Sequence, residues 1–289
     1  MSLRRKRFEL MVFEPSRHRL LVGEDIGDEN APELFLCLPG LLETRQSFNE
    51  LVTHLAPHAR VMIVDWCGRG DSTKLNAAHD YRMSVYLSDL SLFYSHAMGA
   101  ISTSSAGKKP RIHLVGTSMG GLLAVFLASH KPRHLGTVIL NDVGPVLPWS
   151  GVFSLMTGIA SAKSADAGSQ VAHHLSNSMG RGSELSGPDL AKKLNVDPAL
   201  LRAVRQPSHL DLPHETRLSG VDFSNAFAAV TAPILLLRGM DSEIINDAVV
   251  KRIFELHPLT RIHECPHSAH PVTYSADVCQ AMLDFTAKY

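Results

Sequence analysis

The chain has 289 residues, of which 45% are hydrophobic and 19% charged, with 28 Lys+Arg balanced by 28 Asp+Glu. That composition supports a substantial core, as one large α/β domain with an insertion or as two small domains. The zero formal net charge argues against nucleic acid or an anionic membrane as partner.

The chain opens on a short basic run, Arg4-Arg5-Lys6-Arg7, read as a solvated tail. No apolar stretch follows it, so a signal peptide is not expected, and no segment has the length of a membrane span. Residues 8–13 and 19–22 can pair as a β-hairpin. Residues 34–38 form a continuous apolar run that stops at Pro39-Gly40. Further runs cover 61–64, 112–115, 137–140 and 233–237, with 261–265 as a sixth candidate. Short apolar runs without alternation are expected of strands covered on both faces. Residues 47–55, 85–97, 119–129, 247–256 and 275–286 have the apolar spacing of helices. The alternation predicts an α/β fold with a mostly parallel sheet flanked by helices, and function on loops at the carboxyl ends of the strands. Residues 102–109, rich in Ser, Gly and Lys, read as a surface loop.

One stretch breaks the pattern. No strand-like run occurs from 145 to 225, where 152–161, 165–179, 188–194 and 198–204 read as short helices. We expect an inserted helical cap over 145–225 and a core made of 1–144 and 226–289. Cys37, Cys67, Cys265 and Cys279 are widely spaced and lack a C-x-x-C pair. They fit reduced, mostly buried thiols in a cytoplasmic protein better than a disulfide or zinc framework.

The chemistry concentrates at Gly116-Thr117-Ser118-Met119-Gly120, a G-x-S-x-G sequence between a predicted strand and a predicted helix. Such a turn exposes the serine hydroxyl beside the free N–H groups of a helix N-terminus, which can stabilise an oxyanion. Ser118 is therefore the candidate nucleophile, and a serine needs a base to remove its proton.

Jointly, the motifs from about residue 34 to 285 resemble the α/β-hydrolase superfamily. Leu38-Pro39-Gly40-Leu41-Leu42 resembles its oxyanion loop, with Pro39 in place of the usual His. Asp65-Trp66-Cys67-Gly68-Arg69-Gly70-Asp71-Ser72 resembles its D-x-x-G-x-G-x-S turn, in which Arg69 and Asp71 read as structural. Cys265-Pro266-His267-Ser268-Ala269-His270-Pro271 resembles its histidine loop, with Ala269 replacing Gly. The resemblance implies His270 as base, ahead of His267 and His263, and backbone N–H donors from Leu41 and Met119. A metal site built from the three histidines ranks last, and no cofactor is expected.

The acid departs from the family pattern. The common spacing G-x-x-D would place it at Ser242 in Gly239-Met240-Asp241-Ser242. Asp241, one residue early, and Asp142, at the end of the strand beside the elbow strand, are rival candidates; Glu243 is third. The expected activity is hydrolysis of a small ester, thioester or lactone through an acyl-enzyme on Ser118. The alternatives are a C–C bond hydrolase of aromatic degradation and a non-catalytic hydrolase-like ligand-binding protein. Dehalogenase and epoxide hydrolase chemistry is disfavoured, because those relatives carry an aspartate where Ser118 stands.

Overall fold

The computed structural model describes residues 3–14, 17–101, 109–152, 195–204 and 206–289. In chain order the strands are β1 (Arg5–Glu14), β2 (Arg17–Ile26), β3 (Glu33–Leu38), β4 (Arg60–Val64), β5 (Arg111–Thr117), β6 (Leu135–Asn141), β7 (Val146–Pro148), β8 (Glu215–Arg217), β9 (Gly220–Asp222), β10 (Ile234–Gly239) and β11 (Arg261–Cys265). The helices are α1 (Asn49–Leu55), α2 (Met83–Ile101), α3 (Met119–Ser129), α4 (Pro198–Ala203), α5 (Ser224–Ala228), α6 (Asp247–Leu256) and α7 (Ala276–Thr286).

Eight strands form one sheet in the order β1-β2-β4-β3-β5-β6-β10-β11. The β1–β2 hairpin is antiparallel and joins β4 antiparallel; every pair from β4 to β11 is parallel. The apolar runs split by parity. Leu34, Leu36 and Leu38 of β3 pack into one core cluster, while Phe35 and Cys37 pack into another. Likewise Ile234 and Leu236 of β10 face the first cluster, and Leu235 and Leu237 the second. Helices α2 and α3 contribute to the first cluster, and α1 and α7 to the second. With both faces covered, these strands have no solvent side to mark with polar residues.

The helix starts follow local chemistry. Asn246 and Ser275 cap α6 and α7 by accepting from Val249 N and Val278 N at 3.0 and 3.4 Å. Asp197 caps α4, with Pro198 in its first turn, by accepting from Ala199 N at 2.8 Å. The same carboxyl accepts from Tyr81 Oη at 2.6 Å and Asn76 N at 2.8 Å. This ties the stretch around α4 to the segment before α2.

The absence of strands expected over 145–225 is corrected. Here β7, β9 and β8 form a second, antiparallel three-stranded sheet. Each strand has three residues, too few to display a period of two, and all of β8 is exposed. The helix expected at 198–204 is α4. Those expected over 165–179 and 188–194, and over 152–161 beyond Val152, lie outside the described residues, as does the 102–109 loop up to 108. All four cysteines are free and buried. No helix among the described residues is long and apolar enough to cross a membrane.

Candidate active site

β5 ends at Thr117 and α3 starts at Met119, so Ser118 alone makes the turn between them. Its φ of 50° and ψ of −116° are unfavourable for a residue with a Cβ. Holding a residue there costs about 1–3 kcal/mol and requires surroundings that over-determine it. Here Ser118 N–H donates to the Asn141 carbonyl at 3.1 Å, and its own carbonyl accepts from Gly121 and Leu122 at 2.9 and 3.2 Å. The motif glycines permit the approach. A Cβ on Gly120 would lie 2.0 Å from the Leu38 carbonyl oxygen, and one on Gly116 would lie 2.5 Å from Gly121 Cα.

His270 follows β11 in a loop fastened to the end of β6. Asn141 Nδ2 donates to Val272 O at 2.8 Å, and Asn141 Oδ1 accepts from Val272 N at 2.9 Å. Both atoms of one side-chain amide thus hold the backbone two residues beyond His270. The imidazole then bridges two groups: Nε2 lies 3.0 Å from Ser118 Oγ, and Nδ1 lies 2.8 Å from Asp142 Oδ2. A carboxylate only accepts, so Nδ1 carries the proton and Nε2 is left to accept from the serine hydroxyl.

Asp142 is fully buried and takes a φ of 52° just beyond β6. Its N–H donates to Leu237 O at 2.9 Å. Its Oδ1 accepts from Gly239 N at 3.1 Å, and its Oδ2 accepts from Ser242 Oγ at 2.5 Å as well as from His270. Buried carboxyls need such partners, because an unpaired one loses its hydration without return.

The rival positions fall elsewhere. Asp241 and Glu243 are exposed, and neither carboxyl hydrogen-bonds to another described residue. Asp241 instead uses its backbone N–H, donating to Ser268 O at 3.0 Å. His263 lies on β11 and His267 is exposed in the following turn; neither bonds to Ser118 or Asp142. The structure therefore brings together Ser118, His270 and Asp142 and leaves Asp241, Glu243, His263 and His267 outside that chain of hydrogen bonds.

The loop after β3, expected to supply an oxyanion donor, lies against the elbow. Gly40 N–H donates to Glu43 Oε2 at 2.7 Å, and Trp66 Nε1 donates to Pro39 O at 2.9 Å. These bonds fix the two residues before Leu41. The N–H groups of Leu41 and Met119 make no hydrogen bond to another described residue. Arg69 and Asp71 stay off the site: Arg69 is buried and donates to Cys67 O at 3.1 Å, and Asp71 pairs with Arg45 at 2.9 Å.

Asn141, Ser242, Glu43 and Trp66 support the site without being marked as supports by the sequence motifs. Ser242 had a signal, since it occupies the position where the family spacing expects a carboxylate. In the structure its hydroxyl donates to the carboxyl that Asp142 supplies from the neighbouring strand end.

Ser118 opens into a cavity of about 300 Å³, lined by apolar side chains that include Leu41, Met83, Met119, Leu122, Val143 and Leu210. That volume is at the small end of ligand clefts.

The sequence profile of a family described as alpha/beta hydrolase fold matches residues 33–272. The chain belongs to the α/β-hydrolase fold family. This hydrolase is 26% identical over 277 residues to the 3-hydroxybutyrate-oligomer hydrolase of Cupriavidus necator, covering 89% of this chain and 88% of that protein. Among solved structures, it superposes on an alpha/beta hydrolase from Novosphingobium aromaticivorans with a TM-score of 0.69, 23% identity and coverage of 98% and 99% of the two chains. A thermophilic esterase from Thermogutta terrifontis superposes with a TM-score of 0.67, 19% identity and 98% of each chain covered. These structures share its fold, and esterases are among them.

Proposed function

We propose that this hydrolase is a serine esterase for short-chain acyl esters. One observation carries the reading: an unbroken hydrogen-bonded chain, Asp142–His270–Ser118, ends in the lining of a small apolar cavity. His270 Nε2 takes the Ser118 proton as Oγ bonds to the ester carbonyl carbon. The carbonyl oxygen becomes an oxyanion that accepts from the N–H groups of Leu41 and Met119. Such donors matter because each is worth about 2.7–4 kcal/mol of transition-state stabilisation when removed in comparable sites. Collapse breaks the bond to the alcohol oxygen, which leaves with the proton held by His270. Water, deprotonated by the same Nε2, then releases the acid and restores Ser118. Asp142 holds the imidazole tautomer and stabilises the imidazolium formed in both halves.

The Cupriavidus relative, named for 3-hydroxybutyrate oligomers, supports short esters as the substrate class. The described residues within 145–225 act as a cover of the site. Leu147, Trp149, Val204, Leu210 and Val221 from this stretch line the same cavity as Ser118, which supports that role. The test is fluorophosphonate labelling together with p-nitrophenol release from p-nitrophenyl butyrate. Labelling at Ser118 and loss of turnover in Ser118→Ala are expected. Full turnover by Ser118→Ala would overturn the proposal.

A further inference from the structure

One polar group in the cavity has no role in the chemistry above. His209 lines the cavity with Ser118 yet is only 6% exposed. Its Nδ1 lies 2.9 Å from the Tyr81 carbonyl oxygen. A carbonyl cannot donate, so Nδ1 carries the hydrogen. Tyr81 is itself held through its hydroxyl by Asp197 at 2.6 Å, which fixes the register of that carbonyl. The other ring nitrogen, Nε2, makes no hydrogen bond to another described residue, and it is not among the sealed, unpartnered polar atoms of the described interior. The ring itself lines the cavity.

The surroundings favour the neutral ring. Burial pushes the imidazole below its ordinary pKa; the Tyr81 carbonyl opposes this, Arg69 adds to it and the exposed Asp211 opposes it. Arg69 is itself buried, 5.1 Å over the Tyr86 ring, and the Tyr86 ring meets His209 edge-on at 6.2 Å. A second cation beside that guanidinium is disfavoured. In the neutral ring with Nδ1 protonated, Nε2 is an acceptor and nothing else.

The remaining polar lining among the described residues is placed differently. Trp149 Nε1 donates to Arg217 O at 2.8 Å. Gln206, His214 and Thr216 are exposed at the rim, where water reaches them. His209 is thus a buried acceptor in an apolar pocket. A hydrocarbon acyl chain filling that pocket would strip water from Nε2 and leave it unpaired, as would a second carbonyl. A hydroxyl would pair it. Once the alcohol has left, the acyl part remains on Ser118, which lines the same cavity as His209.

We propose that His209 is a specificity-determining residue that accepts a hydrogen bond from a hydroxyl on the acyl chain, so that the site selects hydroxyacyl esters. This rests on the reading of Ser118 as nucleophile.

The test compares p-nitrophenyl 3-hydroxybutyrate with p-nitrophenyl butyrate, which differ by the hydroxyl alone. The wild-type protein is expected to prefer the hydroxy ester in kcat/KM by about tenfold, the scale of one buried hydrogen bond. His209→Asn keeps an amide N–H where Nδ1 stood, able to donate to Tyr81, and removes Nε2. Its loss should fall about tenfold more heavily on the hydroxy ester. A wild-type ratio at or below one overturns the proposal without any variant, and so does a preference that survives in folded His209→Asn. A His209-dependent preference for 2-hydroxyethyl butyrate over ethyl butyrate would also overturn it, because the hydroxyl would then be on the alcohol side. Binding of methyl 3-hydroxybutyrate and methyl butyrate to Ser118→Ala, with and without His209→Asn, separates the two readings. If the wild-type protein turns over no ester, the proposed function fails, and the binding preference still decides the role of His209.

Discussion

The ends of β6 and β10 are adjacent in the sheet, yet they treat their acidic residues in opposite ways. At the end of β6, Asp142 is fully buried and accepts from Gly239 N, Ser242 Oγ and His270 Nδ1. At the end of β10, Asp241 points into solvent and contributes only its backbone N–H. The difference teaches that the carboxyl and the loop where one was expected have exchanged tasks. The end of β10 and the turn after it supply two donors, Gly239 N–H and the Ser242 hydroxyl, and the residue just beyond β6 supplies the acceptor they orient.

The comparison is broken most directly by neutralising each carboxyl. We expect Asp142→Asn to lower kcat by about 10⁴, because an amide stabilises the wrong tautomer and gives no charge to the imidazolium. Asp241→Asn should stay within about twofold, as for most exposed substitutions away from such features. Steady-state kinetics on one chromogenic ester decides both, and equal losses would refute a single dedicated acid. A relocation is the next largest effect. Asp142→Asn combined with Ser242→Asp returns a carboxyl from the β10 side, and turnover should rise about 10²-fold over Asp142→Asn alone if orientation dominates. No recovery would mean that the β10 loop cannot place an acid against His270.

Smaller effects sharpen the same contrast. Ser242→Ala removes a hydrogen bond to a charged group, worth about 1.5–3 kcal/mol, and should lower kcat by roughly tenfold or more. A change in KM with kcat intact would instead assign Ser242 to substrate binding. Asn141→Ala removes both bonds to Val272 at the His270 loop. It should lower the melting temperature by several degrees, since losing buried hydrogen bonds costs about 1–3 kcal/mol. An unchanged melting curve would show that the His270 loop stands without this clamp.

Much of the fold was legible because the local signals agree. The apolar runs at 34–38, 61–64, 112–115, 137–140 and 233–237 fall on β3, β4, β5, β6 and β10, which are buried on both faces. The elbow was legible because the close approach of α3 to β3 and β5 tolerates no side chain at Gly116 or Gly120. Which of Asp142 and Asp241 meets His270 was not legible. It depends on the pairing of Leu237 with Asn141, a register between strands far apart in sequence. Spacing along either strand does not encode that register. The β7–β9–β8 sheet escaped notice because its strands are too short for a pattern. His209 escaped because a single histidine in a punctuated stretch has no periodic context; its tautomer is set by the Tyr81 carbonyl, a partner 128 residues away.

The bond between Ser118 and His270 joins residues 152 positions apart, and that between His270 and Asp142 spans 128. Bringing such distant segments together costs chain entropy before their contacts repay it, whereas α3 forms from neighbours. In a refolding experiment, helical signal should therefore return before reactivity towards a fluorophosphonate. The delay between the two times the docking of the carboxyl-terminal strands, so Ser118 reports the completion of the fold as well as its chemistry.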